Sequence, residues 1–159
     1  MAERPNTLVI EDAELILPFR NFSGREGRYN AEGDRNFSVC VDPAIADQLI
    51  ADGWTVRMTR PRDEDETPKP FIQVRVSYRH RPPLVVMITS HGRTHLDENT
   101  IEILDWADIR TVDMIINGST WHNNGKSGIK GYLKSMYVTI EEDVLERKYA
   151  LPPDESFED

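Results

Sequence analysis

FIQVRVSYRH, Phe71 to His80, alternates strictly, with Ile72, Val74, Val76 and Tyr78 on one side and Gln73, Arg75, Ser77 and Arg79 on the other. A period of two over this length specifies a half-buried strand whose core face is aliphatic and whose solvent face is basic. Arg81-Pro82-Pro83 then turns the chain, and LVVMITS (Leu84 to Ser90) reads as a more continuously apolar strand covered on both faces. Upstream, RPRDEDETPKP is a charged, proline-marked loop, preceded by a strand in which Trp54, Val56 and Met58 alternate with Thr55, Arg57 and Thr59.

Working outward, Phe37, Val39 and Val41 alternate with Ser38 and Cys40 in another strand. Asp42 followed by Pro43 starts a short helix that Gly53 stops, with Ile45, Leu49 and Ile50 placed on one face. Residues Thr7 to Leu17 carry a half-buried strand in which Ala13, Leu15 and Leu17 alternate, ended by Pro18. HGRTHLDENTIEILDWADI is read as a helix capped by Asp97 with Asn99 and bearing Ile101, Leu104 and Ile109, with a short strand from Thr100 to Leu104 as the alternative. Val112 to Ile116 is a strand, Asn117 to Ser119 a turn or bulge, HNNGKSG a flexible loop, and Gly131 to Ile140 the last long strand. EEDVLERKYA can form a short helix, and LPPDESFED, whose two prolines and four acids leave almost nothing to bury, is expected to be disordered. The sum is a mainly β domain of five to seven strands with two short helices, expected to close wholly or partly into a barrel. One domain, residues 1–150, is followed by an acidic flexible tail, residues 151–159.

At 159 residues the chain can build one sizeable core. It has no apolar run long enough to span a bilayer and no signal-peptide pattern, and its single cysteine, Cys40, fits a reducing cytoplasm. A net charge of −9 would disfavour phosphate if it were spread evenly. It is not spread evenly: Glu141 to Asp159 carries −6 and Asp63 to Glu66 carries −4, leaving the remaining body at +1.

The stretch Phe19 to Phe37, FRNFSGREGRYNAEGDRNF, interleaves Arg20, Arg25, Arg28 and Arg35 with Phe19, Phe22, Tyr29 and Phe37 on a glycine-rich backbone. Arginine neutralises phosphate and exposed rings stack on unpaired bases, so the segment is expected to act as a flexible arm that is mobile when free. The competing reading is a polar hairpin loop whose rings are core anchors. Strand faces add further cations at Arg57, Arg75, Arg79, Lys130 and Lys134, with Lys126 in the adjoining loop. Phosphate contacts are therefore expected from Arg20, Arg25, Arg28, Arg75, Arg79, Lys126, Lys130 and Lys134, and base stacking from Phe22, Tyr29, Trp121 and Tyr132. Tyr78 and Trp54 read as core.

Catalytic patterns are weak. His91 and His95 are four apart near Asp97 and Glu98 but lie in a glycine-containing turn, and Cys40 has no local base. No nucleophile elbow and no phosphate-cradling glycine motif occurs, so neither an enzyme nor a cofactor or metal is expected.

The order RPRDEDE, FIQVRVSYRHRPPLVVM, DWADIRTVDMIINGS, GKSGIKGYLKSMYVTI and an acidic tail carrying Phe157 resembles that of bacteriophage single-stranded DNA-binding proteins with an OB-fold, over roughly Phe37 to Asp159. The resemblance implies an OB-like β-barrel and a sequence-independent coat on single-stranded DNA in phage replication and recombination, within the host bacterial cytoplasm. It also implies annealing, and recruitment of replication or recombination proteins through the tail residues Asp154, Glu155, Phe157, Glu158 and Asp159. Glu158 and Asp159 follow Phe157, so the terminal-aromatic contact of such proteins is not matched. The arginine-rich loop is also larger than the pattern. Oligomeric state is left open, a homo-oligomer being allowed. The alternatives are a phage module that binds a host or phage enzyme without nucleic acid, and a metal-dependent nuclease using His91 and His95.

Overall fold

The structure, a computed structural model, describes residues 7–16, 20–27, 31–61, 63–79 and 81–142. In chain order these form β1 (Thr7–Ile10), β2 (Arg35–Cys40), α1 (Pro43–Asp52), β3 (Arg57–Met58), β4 (Pro70–Val76), β5 (Leu84–Thr89), β6 (Gly92–Leu96), a 3-10 helix (Ile101–Asp105), β7 (Ile109–Asn123) and β8 (Lys126–Ile140). The expected helix in EEDVLERKYA and the tail from residue 151 lie outside the described residues.

The dominant unit is the β7–β8 hairpin, two strands of 15 residues each. Asn124 (φ 50) and Gly125 (φ 80) form its two-residue turn, the positive-φ pair that matches the twist of antiparallel strands. The sequence reading broke these strands at Asn117 and treated HNNGKSG as a loop. The ladder instead runs from Ile109–Ile140 to Asn123–Lys126, with register shifts between Ile109 and Thr111 and between Ile115 and Ile116. β8 is central, because its other edge is shared by two parallel neighbours. β4 pairs at Val74–Gly131 and Arg75–Tyr132, and β5 pairs from Leu84–Ser135 to Ile88–Thr139. β2 and β3 pair with β4, β6 with β5, and β1 with β7.

The closed OB-like barrel with two short helices is corrected in two ways. The sheet path runs β1-β7-β8-β4-β2 and its ends, β1 and β2, do not pair. Asp12, at φ 51, breaks the extension of β1, and the following segment crosses to β2 irregularly. It makes one bond back to β7, Ala13 N–H to Val112 O at 2.8 Å, and a single bridge of Leu15 to Val39. Among the described residues there is also one α-helix only. The predicted second helix is a five-residue 3-10 turn, with β6 before it and Ile109 already in β7.

α1 forms as its punctuation dictates: the Asp42 carboxylate accepts from Ala44 N–H at 2.9 Å, Pro43 opens the first turn, and Gly53 closes it at φ 110. Its buried pair is Ala46 and Leu49, while Ile45 and Ile50 flank that stripe and are exposed, contrary to the face drawn from sequence. The core collects Phe37 and Val39 of β2, Ile72, Val74 and Val76 of β4, Met114 and Ile116 of β7, and Met136 and Val138 of β8, with Trp54 and Leu49 closing one end. The alternation in FIQVRVSY is thus realised, with Ile72, Val74 and Val76 buried and Tyr78 half-buried. No helix among the described residues is long and apolar enough to cross a membrane.

Candidate nucleic-acid interface

Register determines what the opposite face of the sheet presents. Asn36 and Ser38 of β2 pair with Arg75 and Gln73 of β4, and Arg75 pairs with Tyr132 of β8. Tyr132, Lys130 and Gly128 pair with Asn117, Ser119 and Trp121 of β7. Paired residues share a face, so four adjacent strands place polar, basic and aromatic side chains on one surface.

That surface holds a groove of about 790 Å³. Five cations line it, Arg20, Arg25, Arg57, Arg75 and Lys130, together with Phe71, Gln73 and Trp121, and none of its lining residues is acidic. Two carboxylates lie beside these cations: Asp34 is 3.5 Å from Arg75, and the buried Asp105 is 3.9 Å from Arg25. Trp121 is held flat across the hairpin. A Cβ on Gly128 would sit 3.0 to 3.1 Å from the indole Nε1, Cε2 and Cζ2, so the ring occupies the space a side chain would fill. Lys130 Nζ lies 5.9 Å from the ring centroid.

The arginine-rich segment is built differently from the expected mobile arm. Phe22 is 0% exposed and stacks on Phe37 with ring centroids 5.2 Å apart, so it belongs to the core and offers no face to a base. The backbone beside it is pinned by Asp105, whose side chain is 1% exposed and whose carboxylate accepts Phe22 N–H at 2.6 Å and Ser23 N–H at 3.2 Å. Asn21 Oδ1 gathers the N–H groups of Gly24 and Arg25 at 3.0 Å, and Arg20 donates to Ala107 O at 3.1 Å. Residues 20–25 are therefore a docked pad that holds Arg20 and Arg25 at the groove. Arg28 and Tyr29 lie outside the described residues.

Of the other sequence-predicted residues, Arg79, Lys126 and Lys134 are exposed but do not line the groove, and Tyr132 is half-buried next to Arg75 in register. His91 and His95 are exposed, and among the described residues no group of three or more His, Cys, Asp or Glu could hold a metal ion. Burial, with Glu14 beside it, pushes the Cys40 thiol up, away from the thiolate a nucleophile needs. Burial likewise pushes the Tyr78 phenol up to about 12. Sequence reasoning missed Phe71, Asp105 and Trp106. Phe71 had a usable signal, since it falls in phase with Gln73 and Arg75 rather than with the aliphatic face. Asp105 had none, because its partners lie more than 80 residues away.

The chain matches the family described as "Putative phage ssDNA-binding domain" over residues 1–158. Among solved structures it is similar to three of the single-stranded DNA-binding protein from bacteriophage Enc34. The complex with ssDNA is 13% identical, covers 87% of this chain and 88% of that one, and gives a TM-score of 0.57. The C-terminal truncation is 13% identical, covers 87% of each chain, and gives 0.56. The third is 14% identical, covers 87% of this chain and 83% of that one, and gives 0.54. No curated protein matches the sequence. At these identities the likeness establishes a shared fold.

Proposed function

The chain belongs to the phage single-stranded-DNA-binding domain family, and from that premise we propose that it binds single-stranded DNA across the groove over β2, β4, β8 and β7. The observation that carries the reading is the lining itself: five cations and an outward-facing Trp121, with no acid among the lining residues, on a protein whose net charge is −9. Phosphates would pair with Arg20, Arg25, Arg57, Arg75 and Lys130, and bases would stack on Trp121 and Phe71, with Tyr132, Lys134, Lys126 and Arg79 extending the path. Backbone and ring contacts of this kind carry little sequence information, so binding is sequence-independent.

Coating and annealing of unpaired strands follow from that chemistry, in phage replication and recombination within the host cytoplasm. The tail residues Asp154, Glu155, Phe157, Glu158 and Asp159 would recruit partner proteins. The family is one of binding domains, which is the non-enzymatic class the sequence pointed to.

Tryptophan fluorescence during oligonucleotide titration at several salt concentrations tests the reading. With three to five phosphates neutralised, log affinity should fall against log salt with a slope of about −2 to −3.5. Absence of binding at low salt, or an affinity indifferent to salt, overturns it.

A further inference from the structure

We propose that Trp106, together with Arg25, forms a second base-stacking platform at the opposite end of the groove from Trp121; this rests on the groove being the path of the DNA strand. Trp106 follows the 3-10 helix and is 61% exposed. Exposure of a single ring is ordinary and carries nothing alone. What singles out this one is Arg25, whose guanidinium carbon lies 5.5 Å from the Trp106 ring centroid while its side chain, 62% exposed, also lines the groove. The far end of the groove repeats the arrangement, with Lys130 over Trp121. Each indole is thus coupled to a cation that faces the same channel, a pairing of stacking surface with phosphate partner.

The platform is also fixed in place. Asp105, immediately before Trp106, holds Phe22 N–H and Ser23 N–H, and Ala107, immediately after it, accepts from Arg20. Ring and arginine therefore belong to one pad, anchored by the core residue Phe22.

Strand order gives the span. From Trp121 on β7 the path crosses β8, β4 and β2 to Asn21, which bridges Asn36. Four inter-strand steps make about 19 Å. At a rise of at least about 3.4 Å per nucleotide, that is no more than about six nucleotides. An oligonucleotide of eight reaches both indoles, and one of three reaches a single end.

The experiment compares thymidine oligonucleotides of three and eight nucleotides on the full chain. Trp106→Ala should weaken binding of the eight-mer about tenfold, leave the three-mer within about twofold, and keep the salt slope, because no cation is removed. Trp106→Phe should retain most of the affinity. In Trp121→Phe, where Trp54 is buried and Trp106 is the exposed indole left, the eight-mer should still quench fluorescence. The proposal is overturned if Trp106→Ala binds the eight-mer as the parent does, if both lengths lose equally, if Trp106→Phe behaves like Ala, or if Trp121→Phe shows no quench. A parent that binds neither oligonucleotide removes the functional reading itself, and this inference with it.

Discussion

The arginine-rich pad of residues 20–25 and the face of the β4–β8–β7 sheet carry the same residue types and use them in opposite ways. In the sheet, rings and cations point out together: Phe71 sits with Arg75 on β4, and Trp121 with Lys130 across the hairpin. In the pad, the ring goes inward onto Phe37 and Arg20, Asn21 and Arg25 remain at the groove. A strand's period of two assigns every side chain to a face once one is known, whereas an irregular segment takes its orientation from whatever distant group satisfies its backbone. Here that group is Asp105. Composition alone therefore locates the candidate rings and cations in the chain, and the backbone decides which of those rings face outward.

The largest expected effect tests the inward ring. Phe22→Ala removes a fully buried aromatic from a pair stacked at 5.2 Å and should cost about 3 to 5 kcal/mol of unfolding free energy, read by denaturant titration. DNA affinity of the fraction that remains folded should fall only as far as the pad holding Arg20 and Arg25 loosens, a smaller effect than the loss of stability. A stable variant with weakened binding would mean that Phe22 leaves the core to meet DNA, and the contrast between the two regions would collapse.

Asp105→Asn comes next. The amide keeps one acceptor but turns its NH2 toward one of the two N–H groups that the carboxylate now holds at 2.6 and 3.2 Å, which should cost about 2 kcal/mol. Because the pad carries Arg20 and Arg25, binding should weaken along with stability, and amide exchange of Phe22 and Ser23 should accelerate. Unchanged exchange at those two positions would show that the pad is held by something other than Asp105.

These two variants also mark where the sequence stopped being legible. The alternation of FIQVRVSY and the Asp42-Pro43 helix start were readable because their determinants are local, a two-residue period and a cap. The basic strand face was readable for the same reason, and Arg75 and Lys130 line the groove. The length of β7 and β8 was missed because Asn117-Gly118-Ser119 looks like a turn, while the turn in use is Asn124-Gly125, whose positive φ values suit a hairpin of that twist. Barrel closure was not readable, since it depends on how the chain after Asp12 meets β2, which no periodicity encodes. The docking of Phe22 depends on a carboxylate 83 residues away, so the same letters admitted both an arm and a core anchor.

On the sheet, Trp121→Ala should lower affinity for an eight-nucleotide strand about tenfold, the lower part of the range for losing one stacked base. Thermal unfolding should hardly move, because the ring is only half-buried on the solvent face. A large drop in melting temperature with intact binding would place Trp121 among the structural residues instead.

The smallest effect sharpens the comparison most, because it disturbs the outward ring without deleting it. In Gly128→Ala the new methyl would meet the indole of Trp121 at 3.0 to 3.1 Å, closer than carbon contacts normally come, so one of the two must yield by a few tenths of an ångström. The indole is the part that can move, since it is partly exposed and Gly128 is fixed by its ladder pair with Trp121. Alanine also loses less backbone entropy than glycine in a strand, which offsets part of the crowding. Stability should therefore stay within about 0.5 kcal/mol, as for a surface substitution. Affinity should fall a few-fold as the ring tips out of its stacking plane. This is the mirror of Phe22→Ala: one variant acts chiefly on stability and reaches binding only through the pad, the other moves binding and spares stability. A Gly128→Ala protein that unfolds earlier yet binds DNA as tightly as before would mean that the Trp121 ring braces the hairpin, and that the outward face of the sheet is no more a reading surface than the pad is.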